Sequence, residues 1–201
     1  MTAQIFLIAP AGADAPACLL RLREALAATA VAVLLLPRGG RSEGSYKTLV
    51  KGVVGAAQAA GVAVLIEGEP GLVRMLGADG LHVEGDVGDV RAATAALKPD
   101  YIVGAGAIAS RHDAMSKAEL GPDYIFFGPL SGARDPEQRE MARWWAEIME
   151  VPSVLSDPAA TGETATSEGA EFIGLGDSLW GAPEGVTARL DAIAQALEQA
   201  P

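Results

Sequence analysis

Cysteine is nearly absent from this chain, and its scarcity removes two classes of protein at once. A lone Cys18 permits no intramolecular disulfide and no cysteine-based zinc cage, and it reads as a small apolar residue buried on the first helix. Aromatic residues are scarce too, at 5% against 50% hydrophobic. A core so poor in rings is built from Ala, Val, Leu and Ile, as in parallel sheets covered by helices. Positive charge is the third shortage: 15 Lys and Arg face 26 Asp and Glu, for a net charge of −11. Nothing basic is concentrated enough to displace phosphate counterions, so no nucleic-acid partner is expected. The longest apolar run, Ala25 to Leu36, is too short to cross a membrane and reads as a helix end followed by a strand. Met1 to Pro10 carries no basic flank and runs into a strand, unlike a signal peptide. A cytoplasmic protein with no membrane partner is the expectation. No linker or low-complexity tract interrupts residues 1–201, which predicts a single domain.

What is present is an alternation. Short continuous apolar runs at Ile5–Ala9, Val31–Leu36, Val62–Ile66, Leu81–Val83, Tyr101–Gly104, Tyr124–Phe127, Ser153–Leu155 and Phe172–Leu175 read as strands buried on both faces. Helical patterns separate them. Asp14 caps the first, with Pro16 in its first turn and Leu19, Leu20, Leu22 and Leu26 at helical spacing. Ser45 to Ala60 is an Ala-rich helix stopped by Gly61; a short helix runs to Leu76, and another from Val87 to Leu97. Ser110 and Asp113 stand at capping-box spacing, and Asp135-Pro136 starts a helix to Met149. Asp157-Pro158 is expected to start one more, and a last helix ends near Ala200. Eight such units predict an α/β fold, a single (βα)8 TIM barrel. An open doubly wound sheet is the weaker alternative, since no Gly-x-Gly-x-x-Gly follows the first strand.

Two segments carry a family resemblance. Gly77-Ala78-Asp79-Gly80-Leu81-His82 resembles the GADG-hydrophobe-His segment of the thiamine phosphate synthase/TenI family. Gly121-Pro122-Asp123-Tyr124, continuing to Gly128-Pro129, is similar to that family's GADY…GP segment. The resemblance implies joining of a hydroxymethylpyrimidine diphosphate to a thiazole phosphate, with loss of Mg2+-bound pyrophosphate. Such chemistry needs cations around the leaving group, carboxylates for Mg2+ and backbone N–H groups for the second phosphate. The implied partners are a small phosphorylated heterocycle, pyrophosphate or both, bound by a monomer or homodimer.

Carried across residue by residue, the resemblance implies a substituted site. The family's Gln-x-Arg-x-Lys after the second strand falls on Leu35, Pro37 and Gly39, with Arg38 and Arg41 close enough to compensate in part. Glu67 and Asp86 hold the places of the Mg2+ carboxylates, with Glu69 and Glu84 nearby. Gly106 replaces a small hydroxylated residue. The Thr-x-Thr-Lys loop becomes Ala133-Arg134-Asp135-Pro136, leaving Arg134 as its cation. Gly-Gly becomes Ser156-Asp157, with Asp157 reading as a helix cap, and a loop Ser becomes Asp177. Substrate contacts are therefore expected from Arg38, Arg41, Gly106, Gly128, Arg134, Ser156, Gly176 and Ser178, and an anion is expected against the Gly128–Arg134, Ser156 and Gly176–Ser178 loops. Synthase turnover is expected to be weak or absent.

Other readings stay open. A thiazole tautomerase-like isomerase is one, although that group's histidine falls near Ile108 and His112 comes several residues late. A non-catalytic barrel binding a metabolite or partner is another. The loop carboxylates also suit an acidic surface, and a strand His82 suits a hydrogen-bonded structural histidine. Trp144-Trp145 places one ring partly outward, as helix packing or an interface anchor.

Overall fold

Apolar runs that hide both faces require a sheet covered on both sides, and the computed structural model shows how. It describes residues 3–10 and 12–199. Eight parallel strands close on themselves in chain order: β1 (Gln4–Ile8), β2 (Val31–Leu36), β3 (Ala63–Ile66), β4 (Gly80–Val83), β5 (Ile102–Ala105), β6 (Tyr124–Phe127), β7 (Ser153–Ser156) and β8 (Phe172–Leu175). Helices α1 (Ala15–Ala28), α2 (Glu43–Ala59), α3 (Pro70–Leu76), α4 (Val87–Leu97), α5 (Arg111–Ala118) and α6 (Pro136–Ile148) follow the first six strands in turn. A short α7 (Asp177–Trp180) and α8 (Val186–Gln199) follow β8; the expected end near Ala200 lies outside the described residues.

Strand alternation sorts the core into two bodies. Phe6, Ile8, Leu35, Leu65, Tyr124, Phe126 and Val154 fill the barrel interior. Ile5, Leu7, Leu34, Leu36, Val64 and Ile66 point the other way, into the layer beneath the helices. Cys18 is buried there, and burial pushes its thiol up to about 11 against the opposing charge of Arg41. Leu20, expected on the buried stripe of α1, is instead 57% exposed. Trp145 is buried and donates to Val151 O at 2.8 Å. Trp144 packs at the core edge with the Arg111 guanidinium over its ring.

The loops leading into the helices are capped as local chemistry dictates. Asp14, Ser42, Asp86, Ser110 and Asp135 each accept a first-turn N–H. The two segments bearing the family resemblance perform matching work at the opposite rim. Asp79 Oδ2 accepts the Val64 N–H at 2.7 Å, and Asp123 Oδ2 accepts the Val103 N–H at 2.8 Å. Each aspartate clamps the start of the preceding strand, a stabilising duty at the face of the barrel away from chemistry.

One expected element is missing. Among the described residues no helix stands between β7 and β8; residues 157–171 form successive turns. Asp157-Pro158 resembles the Asp135-Pro136 start of α6, but the chain beyond it contains Gly162, Thr164, Thr166 and Gly169, and Glu168 takes a left-handed φ of 51°. Asp157 is thus no helix cap, and its carboxylate is free for another partner.

Candidate active site at the barrel mouth

Side chains two apart on a strand point to the same face, so His82 and Glu84 both turn into the top of the barrel. His82 is 1% exposed and bonded at both ring nitrogens. Its Nε2 lies 2.9 Å from Glu84 Oε1 and its Nδ1 2.8 Å from Tyr124 Oη. The carboxylate can only accept, so Nε2 donates to it, and Nδ1 shares the second hydrogen bond with the tyrosine hydroxyl. Burial, together with the charges of Glu84, Asp123 and Glu67, pushes the Tyr124 phenol well above its ordinary value and keeps that proton in place.

Two glycines, Gly104 on β5 and Gly106 just past its end, make this chain of contacts geometrically feasible. His82 pairs in register with Gly104, and Gly104 with Tyr124. A Cβ on Gly104 would fall 1.9 Å from the Tyr124 ring. Its absence lets the ring cross β5 and stack on His82, with 5.9 Å between centroids. Gly106 does the same one step higher, where a Cβ would lie 1.9 Å from Glu84 Oε1 and 2.9 Å from His82 Nε2. Gly106 therefore serves as a gap that Glu84 occupies.

Glu84 is held from several sides. Burial would raise its carboxyl pKa, but the hydrogen bond and charge of His82, the Ala107 N–H and the Lys117 ammonium outweigh it and hold the group below the usual carboxylate range. Lys117 is 1% exposed and donates to Gly106 O at 2.9 Å and Ala107 O at 3.0 Å, while pairing with Asp113 at 3.0 Å. It holds Ala107 in a left-handed conformation, φ 49°. The expected capping box at Ser110 is accordingly altered: Asp113 accepts from Ala109 N and faces Lys117.

Glu84 and Glu67 line both openings at the mouth, cavities of about 640 and 380 Å3. Arg41 borders the larger and Arg38 the smaller. Glu67 Oε2 accepts the Arg38 N–H at 2.5 Å, and the Glu67 N–H donates to the buried Tyr46 hydroxyl at 2.8 Å. The Arg41 guanidinium is spent largely on carbonyls, donating to Ala13 O at 2.9 Å and Pro37 O at 3.1 Å. Asp86, expected beside Glu67 as a metal ligand, instead caps α4: its Oδ1 accepts the Gly88 and Asp89 N–H groups in a capping box. Among the described residues no three His, Cys, Asp or Glu side chains form a metal-holding group.

The β6–β8 side places its expected anion contacts differently. Arg134 pairs with Asp157 at 2.5 Å, and the Asp157 side chain is 5% exposed. Ser156 Oγ donates to Pro129 O at 2.7 Å and Ser178 Oγ to Ala160 O at 2.8 Å. The Gly128 N–H donates to Gln138 Oε1 at 3.2 Å. Gly176 opens α7. Apart from the Arg134 Nε, which is buried without a partner, the side-chain groups expected to meet a ligand here are thus bonded within the protein. His112 is exposed on the first turn of α5, away from both openings.

Three comparisons bear on this geometry. Residues 5–156 match the family described as thiamine monophosphate synthase. A thiamine-phosphate synthase of Hyphomonas neptunium is 35% identical, covering 94% of this chain and 91% of its own. One of Rhodospirillum centenum is 33% identical over 92% of this chain and 93% of its own. Among solved structures, thiamine phosphate pyrophosphorylase from Pyrococcus furiosus superposes with a TM-score of 0.77 at 16% identity, covering 97% of this chain and 95% of its own.

Proposed function

From a chain that belongs to the thiamine monophosphate synthase family, we propose a barrel that binds the phosphorylated pyrimidine- or thiazole-type ligands of that chemistry at its C-terminal mouth and turns them over weakly or not at all. The observation that carries this reading is the commitment of two of its three expected cations. Arg134 is paired with buried Asp157, and Arg41 is bonded to backbone carbonyls. Expelling pyrophosphate builds negative charge on the leaving group, and each preorganised donor missing from such a site costs roughly 10²–10³ in rate.

Mg2+ is the cofactor the family resemblance implies. Glu67 and Glu84 suit it: both carboxylates line both openings, and Mg2+ is commonly held by one or two carboxylates plus substrate phosphates. Asp86 does not suit it, because its carboxylate serves α4. When bound, the ion would neutralise phosphate charge. The protein's own part is to hold Glu84 through His82 and Lys117 and to hold Glu67 through the Arg38 and Tyr46 contacts.

The test is a coupled assay with hydroxymethylpyrimidine diphosphate, thiazole phosphate and Mg2+, with calorimetric titration of each ligand. Measurable binding with turnover near background is the expected outcome. Robust turnover that Glu67→Ala/Glu84→Ala abolishes would establish an ordinary synthase instead. Silence toward every ligand would favour the non-catalytic reading. The isomerase reading draws no support from the structure, since Ile108 is buried and His112 faces solvent.

A further inference from the structure

The loops after β6 and β8 meet through a polar contact between Asp177 and the Gly132 backbone. Asp177 Oδ2 accepts the Gly132 N–H at 2.8 Å, and Asp177 lines the larger cavity beside Ser131 and Leu130. In (βα)8 barrels a phosphate frequently docks between the loops after strands seven and eight and the start of a short extra helix. Here that helix is α7, and several of its first N–H groups are already in use. The Ser178 N–H donates to Pro158 O at 2.8 Å and the Leu179 N–H to Gly176 O at 3.0 Å. The first residue of the helix is itself the acidic Asp177. Next to it, the cation expected to answer a phosphate, Arg134, is paired with Asp157.

We propose that Asp177 is a specificity-determining residue whose carboxylate stands in for a ligand's phosphoryl group, so that a phosphoryl group binding between these loops must first displace it. An incoming phosphoryl group would have to displace Asp177 from Gly132 while facing its negative charge, and the arginine on the β6 loop, Arg134, is already paired with Asp157. An unphosphorylated heterocycle meets neither obstacle. The inference rests on the preceding reading of the cavity as the ligand site.

The experiment uses inorganic phosphate first, because it needs no heterocycle pocket. The full chain, Asp177→Asn and Asp177→Ser are titrated with phosphate while the Gly132 amide resonance is followed by NMR, with thermal midpoints recorded to show that each variant folds. Removal of the carboxylate should tighten the phosphate response at Gly132 by tenfold or more in Asp177→Ser, with Asp177→Asn shifting in the same direction. Equal responses in wild type and folded variants, or none in any of them, overturn the assignment. Thiamine monophosphate and thiamine are then compared by calorimetry. Asp177→Ser should tighten the first by a similar factor and leave the second unchanged; equal gains for both would also overturn it. If phosphate behaves as expected and neither thiamine compound binds, the role of Asp177 stands and the reading of the cavity's ligand falls.

Discussion

On the β2–β5 side of the mouth, charged side chains stand at the edge of open space; on the β6–β8 side they are spent on one another. Glu67 and Glu84 line both cavities, and Glu84 is aimed by His82, Lys117 and the gap at Gly106. Across the barrel, Arg134 is matched to Asp157 and Gly132 to Asp177. The contrast teaches that a loop position facing the mouth does not make a residue a ligand contact. A charged group can meet a ligand only where its side chain still borders open space, as Glu67 and Glu84 do, and buried groups are nearly always bonded within the protein.

The contrast can be broken most severely on the open side. Lys117→Met would leave two carbonyls and the Asp113 carboxylate without their buried partner. Removing one member of a buried pair costs about 3–5 kcal/mol, so a matching fall in stability by denaturant unfolding is expected, together with loss of any Glu84-dependent ligand binding. Gly106→Ala comes next. Its Cβ would collide with Glu84 Oε1 and crowd His82 Nε2. Overpacking of this kind costs roughly 1–3 kcal/mol, and the imidazole resonances of His82 should move because its carboxylate partner is displaced. Unchanged resonances would show that Glu84 is not held as described.

On the closed side, Asp157→Asn should cost less, about 1–3 kcal/mol, through the loss of one charge-assisted contact to the partly exposed Arg134. It also frees the Arg134 guanidinium, so phosphate affinity should rise. A fall in stability with no gain in phosphate affinity would mean that Arg134 does not face the mouth.

The smallest effect is in pH dependence. The Glu84 carboxyl sits below the usual range in the folded state, so the unfolded chain takes up its proton first as pH falls. The stability contributed by Glu84 is therefore fully present above the ordinary carboxylate range near 4.3 and is lost as pH falls through the lowered folded value. Glu84→Gln should remove this part of the slope, so that wild type and variant converge in relative stability in acid. Parallel curves down to pH 3 would contradict the pairing with His82.

How much of this the chain declares in advance depends on the distance over which each decision is made. The eight strands are legible because strands covered on both faces leave continuous apolar runs, and the caps at Asp14, Ser110 and Asp135 are legible because each acts within three residues. The sharing of one face by His82 and Glu84 is likewise a local consequence of strand alternation. Asp157-Pro158 and Asp135-Pro136 read alike, yet only the second starts a helix. Asp157 is drawn to Arg134, and the chain after it lacks the helical continuation that α6 has. Asp86 caps α4 through N–H groups two and three residues on, so this role too is local and is carried by the Asp86-x-x-Asp89 spacing. The Tyr124–His82 contact joins residues 42 apart and needs the register of three strands plus a missing Cβ at Gly104. The Asp177–Gly132 bond spans 45 residues. Local periodicity and capping act between near neighbours and determined the barrel; the mouth was decided by partners that only closure of the sheet brings within hydrogen-bond reach.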